Sequence, residues 1–289
     1  MILWPFALLG LLQPPMGTYS LQAVVSDSKG VPLRDLEAAD VSLTAGGQTV
    51  FLDRFERDER PSRVALLVDS SMPMATPYRA SFIDAASAFV ASLPSNTRVT
   101  VWTTGDRPAK VLDDLDLNLD HSARELVNRL SRVPTSGGNT ILDAVVEASE
   151  DLVKKEGERK IVVFLSGTGP GFSSADRQSI VDRVLKTGVE VAGVLASERG
   201  ESEGGGEVSQ ADYDFVFGQL TERTGGRLER PLTTMGASSV FARVAADLRS
   251  TYRLSFDFSG AKIPRLALQV ARPRVKVRLS TPRKETSSP

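Results

Sequence analysis

From Arg63 to Tyr252, short apolar runs alternate with stretches in which apolar residues return every three or four positions. The runs predict strands at 63–69, 98–104, 160–166 and 189–195, with a poorer one near 227–230. The periodic stretches predict helices at 78–93, 121–131, 140–155, 174–187, 211–224 and 237–250. Helix 78–93 places Phe82, Ala85, Ala86, Phe89, Val90 and Leu93 on one stripe, the face that must be buried. The run Lys160 to Ser166 is apolar on both faces, as a central parallel strand is when helices cover both sides. This alternation predicts an α/β fold, a doubly wound and mostly parallel sheet with its ligand site at the carboxyl ends of the strands.

The flanks follow a different grammar. Tyr19 to Val25 is followed by the turn Asp27 to Gly30, and Val41 to Thr44 meets Gln48 to Phe55 across Gly46-Gly47, a hairpin signal. Strand patterns return at 252–258, 264–270 and 274–279. The expectation is that these N- and C-terminal strands pair into one small β domain. The organisation read from the chain is a signal-peptide-like segment at 1–17, an N-terminal β segment at 18–60, the α/β domain at 61–251, a C-terminal β segment at 252–280 and a disordered tail at 281–289. The apolar run Ile2 to Leu12 is too short to span a bilayer and suits the core of an export signal. No Lys or Arg precedes it and no clear small-x-small cleavage site follows. A truncated start, a lipid-side anchor and a buried N-terminus therefore stay open beside the favoured reading, export to the periplasm or the extracellular space.

Composition narrows the chemistry. The formal net charge of -1 gives no global field that points to nucleic acid or an anionic membrane. With no cysteine, disulfides and thiolate chemistry are excluded. One histidine, His121, opens a polar helical stretch, which argues against a Ser-His-Asp triad or a multi-histidine metal site.

Strand 63–69 runs into Asp69-Ser70-Ser71-Met72-Pro73, and Ser136-Gly137-Gly138-Asn139-Thr140 forms a later Gly-rich turn. With Val31 to Leu36, Thr224 to Arg227 and Asp247 to Tyr252, these segments together resemble a von Willebrand factor A (VWA) domain, a Rossmann-like fold. The closer likeness is to bacterial VWA-related exported proteins whose A domain sits between β segments. The resemblance implies a noncatalytic module that binds another protein. It also implies a metal-ion-dependent adhesion site, built as Asp-x-Ser-x-Ser, a Thr and a second Asp, whose hard oxygen ligands suit Mg²⁺ or Mn²⁺.

Carried over residue by residue, that pattern is degenerate. Asp69 and Ser71 match, Pro73 replaces the second serine, and Gly167 lies where the second aspartate is expected. The threonine slot falls on Asn139 or on Thr140, depending on a one-residue shift. The metal residues retained are thus Asp69, Ser71 and Thr140, and the candidate binding residues are Asp69, Ser71, Asn139, Thr140 and Gly167. Losing a carboxylate weakens charge compensation for a dication, so the expectation is metal-independent protein binding with no cofactor. Asp106 and Asp176 are the candidates for a replacement carboxylate, and Asn139 or Thr140, with Asp143, for a helix N-cap. Two other readings stay open: a divalent-metal-dependent adhesion protein using the retained residues, and a structural module with no ligand at the sheet edge.

Other motifs are weaker. Gly167-x-Gly169-x-Gly171 has the wrong spacing for a dinucleotide turn, and Pro170 interrupts it. Asp113-Asp114 and Glu150-Asp151 read as loop and helix-surface charge, so no enzymatic activity is expected. The acidic, Gly-rich segment 197–210 should emerge at the same edge as Asp69 and reads as a solvated, disordered insertion, with covering or tuning of the binding face as the alternative. Arg272, Arg274, Lys276 and Arg278 alternate with apolar residues, as on an edge strand with a basic outer face.

Overall fold

The computed structural model describes residues 16–285 except 120, 158, 197–207 and 261. The signal-like segment, apart from Met16 and Gly17, and most of the acidic 197–210 segment lie outside the described residues. Strands β1 (Met16–Ser26), β2 (Val41–Ala45), β3 (Gln48–Val50) and β4 (Arg54–Arg57) precede the α/β domain, whose first strand is β5 (Ser62–Val68). A helical stretch follows, made of a 3-10 turn at Met72–Met74, α1 (Ala75–Pro77), a π turn at Tyr78–Phe82 and α2 (Ile83–Ser92). Next come β6 (Thr97–Thr104), β7 (Pro108–Asp116), α3 (Ser122–Ser131), α4 (Ile141–Val153), β8 (Arg159–Gly167), α5 (Arg177–Thr187) and β9 (Glu190–Ala196). The chain continues through α6 (Gln210–Thr224), β10 (Leu228–Glu229) and α7 (Ala237–Leu248) to β11 (Tyr252–Ser259), β12 (Leu266–Val270), β13 (Lys276–Leu279) and β14 (Arg283–Lys284).

The central sheet has the order β10-β9-β8-β5-β6-β7. All its pairings are parallel except that of the edge strand β7. Alternate residues of β5 serve opposite faces, as a strand's two-residue period requires. Val64, Leu66 and Val68 pack with Phe82, Phe89 and Phe241 under α2, α3 and α7. Ala65 and Leu67 pack with Ile141, Phe164 and Phe217 under α4, α5 and α6. The two chain ends meet as expected: β1 pairs β11 from Met16↔Ser259 to Ala23↔Tyr252, and β13, β14 and β4 complete an antiparallel sheet. A second small sheet, β12-β2-β3, closes over the core around Leu43, Tyr252 and Phe256. Its hairpin turns at Gly46 and Gly47, with φ of 58° and 87°, a geometry that favours two glycines.

Three details differ from the sequence reading. β7 carries Asp113-Asp114, expected in a loop. Pro108 at the strand start and charges along an outer edge are compatible with an edge strand but mask its pattern. The run 48–55 divides between two sheets, because β3 pairs β2 while β4 pairs β11. Arg283–Lys284, within the stretch expected to be a disordered tail, pairs with β1, and the Glu285 amide donates to Thr18 O at 2.8 Å. A polar two-residue strand has no hydrophobic signature by which to read it.

Candidate functional site

β5 lies between β8 and β6, so the carboxyl ends of β5 and β8 flank the point where the strand order reverses, the usual ligand crevice of such sheets. Asp69 follows β5 there and is 0% exposed. Its Oδ1 accepts from the Ser71 amide at 2.9 Å. Its Oδ2 accepts from Asn139 Nδ2 at 2.7 Å, the Gly167 amide at 2.9 Å and Ser166 Oγ at 3.2 Å. Burial pushes the Asp69 carboxyl above its ordinary pKa, while Ser71, Gly167 and Ser166 pull the other way. Ser71 Oγ sits close enough to help hold that charge, yet it is buried and makes no hydrogen bond of good geometry.

The structure separates the two claimants to the threonine slot. Asn139 joins the site: besides Asp69, its Nδ2 donates to Ser166 Oγ at 2.8 Å and to Gly167 O at 3.2 Å. Its Oδ1 accepts from Thr104 Oγ1 and from the Ile141 amide. Thr140 turns away and donates to Gly105 O at 3.2 Å. Asn139 thus supplies part of the expected cap, at the first amide of α4, but Asp143 takes no part in it. Thr140 stands at the start of α4 without a side-chain cap bond, and Asp143 instead accepts from Ser173 Oγ and the Ser174 amide.

These residues do not fit a dication. Pro73 has no side-chain oxygen, and Gly167 leaves no room for one: a Cβ there would lie 2.4 Å from Met74 Sδ. Met74 is fully buried, so its thioether fills the space a residue-167 side chain would need. Asp69 already accepts four internal hydrogen bonds, and adding a cation would break some of them. The proposed replacement carboxylates are engaged elsewhere. Asp106 accepts from Ser136 Oγ at 2.9 Å, and Asp176 caps α5 through the Gln178 and Ser179 amides.

The glycines at and after the end of β8 serve close packing. The Gly167 amide faces Asp69, a Cβ on Gly169 would meet Pro73 at 3.1 Å, and one on Gly171 would meet Tyr213 Oη at 2.1 Å. Loops at the same end of the sheet expose apolar side chains that sequence reasoning missed: Met72 (57% exposed), Phe172 (46%), Leu232 (82%) and Met235 (72%). Single exposed apolar residues carry no periodic signal, so only the topology brings these loops to one end.

Residues 64–170 match the family model described as the von Willebrand factor type A domain. No curated protein gives a significant match. Among solved structures, proximal thread matrix protein 1 from the mussel byssus is 15% identical with a TM-score of 0.51, over 69% of this chain and 48% of that one. This chain therefore spans about half the length of that relative. The vWF domain of the type V pili tip protein Mfa5 from Porphyromonas gingivalis is 9% identical with a TM-score of 0.50, over 64% of this chain and 94% of that one. At such identities the likeness is one of fold, and the α/β domain has the von Willebrand factor type A fold.

Proposed function

We propose that this chain is a noncatalytic protein-binding module that presents the carboxyl-end loops of its parallel sheet to a protein partner without a bound dication. Domains of this type typically mediate protein interaction, which supports the first half of the reading. The observation that carries the second half is the pairing of Gly167 with Met74, because the second acidic ligand's place is occupied by a packed thioether. Asp69 then acts as an internal knot. It ties the ends of β5 and β8 to the turn before α4 and sets the shape of the loops around it. Exposed Met72 and Phe172 beside that knot supply apolar contact area, and thioethers adapt readily to a partner's surface. A signal-like N-terminus supports export, and no described helix is long and apolar enough to cross a membrane.

A photo-cross-linking amino acid placed at Met72 of the full chain tests this. Partner capture should persist in EDTA and be absent when the probe sits at Phe51, in the β3–β4 connection of the β domain. Capture only with added Mg²⁺ or Mn²⁺, or equal capture at both positions, would contradict it.

A further inference from the structure

Beside the Asp69 knot the surface opens into a cleft of about 420 Å³, bounded by Ser70 and Ser136 on the site's side and by the end of α3 on the other. Its floor is apolar, with Ala109, Val111 and Val133. Its rim is cationic, with Arg107 from the β6–β7 turn and Arg129 and Arg132 from the end of α3. Arg107 and Arg132 are exposed, and neither forms an ion pair among the described residues. Arg129 reaches only Glu125, at 3.9 Å, with its side chain 55% exposed. Asp106, the carboxylate of the lining, is held by Ser136 Oγ and packs against Gly137. Three guanidiniums therefore face one carboxylate in a chain whose overall charge is -1.

We infer that this cleft is the specificity pocket of the docking edge and takes an acidic segment of a protein partner. Carboxylates would lie against Arg107 and Arg132, and an apolar side chain would rest on Val111 and Val133. The inference relies on the preceding reading that the carboxyl edge binds protein, and it names the partner's chemistry. Charge complementarity supports it: guanidiniums bind carboxylates in a fork geometry, and unpaired ones at a rim steer an acidic partner. The apolar floor favours a peptide over a nucleic acid, since no aromatic side chain lines the cleft for bases to stack on.

The test is fluorescence anisotropy of a short fluorescein-labelled peptide of alternating Glu and Leu, titrated with the full chain in EDTA. Binding should weaken at least about tenfold in R107E/R132E and to a smaller extent in R107Q/R132Q. It should be unchanged in K29E/K262E, which makes the same charge change on the β domain. Thermal melts show which variants are folded, and R107Q/R132Q decides if the charge reversal is not. The inference is overturned by no binding, by equal binding of a Gln/Leu peptide, by equal loss in K29E/K262E, or by tighter binding of a single-stranded oligonucleotide. Partner capture at Met72 that survives R107E/R132E would sink the acidic-segment inference alone. Peptide binding without any capture at Met72 would sink the metal-free docking edge as drawn.

Discussion

Asp69 is buried among donors that the protein itself supplies, and on the proposed reading these take the place of a metal ion. Removing its carboxylate leaves Asn139, Ser166 and two backbone amides short of an acceptor. Asp69→Ala should therefore cost roughly 3 kcal/mol in urea unfolding, with or without divalent metal. The pH dependence has a defined sign. Because burial raises the folded pKa of Asp69 above its unfolded value, the folded state holds that proton more tightly. Relative to Asp69→Asn, which never ionises, the wild type should lose stability as pH rises from about 4 through the raised folded value. A wild-type advantage that grows over that window would contradict the burial argument. At the neighbouring position, Gly167→Ala should cost about 2 kcal/mol by driving a methyl into Met74. In a Met74→Ala background the cost should largely vanish, a coupling a double-mutant cycle reads directly. The sequence made Asp69, Ser71, Pro73 and the glycine at 167 visible, because strand-end motifs are local. It did not reveal Met74 as the residue that fills the gap, because that contact joins β8 to the turn after β5. Nor did it decide between Asn139 and Thr140, which differ only in the direction their side chains take.

At the scale of elements, the long apolar and periodic segments were readable. Strands β5, β6, β8 and β9 and helices α2 to α7 fall close to where their patterns place them, since burial on one or both faces writes a period into the chain. Edge elements with little or no apolar period were not, although Leu112 and Leu115 of β7 do reach the core. β7 is an edge strand whose charges find partners: Asp113 bonds Lys155 and Thr100, and Asp114 bonds Arg98 and Arg63. β14 is held by β1, by the Glu285 amide and by Arg283 donating to Gly188 O. Ending the chain after Ser280 should lower stability by about 1 kcal/mol. It should also speed amide exchange in the Met16–Ser20 half of β1, which hydrogen-exchange mass spectrometry would detect. Unchanged exchange there would mean that β14 adds nothing to the sheet.

At the scale of the molecule, the β domain is joined to the α/β domain through buried charge. Asp247 of α7 is 4% exposed and takes Arg227 Nε at 2.5 Å, while Arg278 of β13 bonds the same carboxylate. The basic outer face read from the alternation at 272–278 is thus divided. Arg278 reaches inward to α7, and Arg272 pairs with Asp35 of the N-terminal segment at 2.9 Å. Asp247→Ala should leave two guanidiniums without their shared partner and cost about 3 kcal/mol. It should also loosen the coupling of the two domains, seen as a broadened or two-step melt. The junction lies at the amino ends of the strands and the docking edge at the carboxyl ends, so the β domain leaves that edge open.

The central claim is that this edge works without a dication, and a thermal melt of the full chain tests it most directly. The protein is melted in EDTA and then with millimolar Mg²⁺, Mn²⁺ or Ca²⁺. A ligand at about 100 times its dissociation constant stabilises a fold by roughly 2.7 kcal/mol, a readable shift in Tm. No shift is expected with any of the three metals. A shift of that size that Asp69→Ala abolishes would contradict the claim and restore the metal to the site.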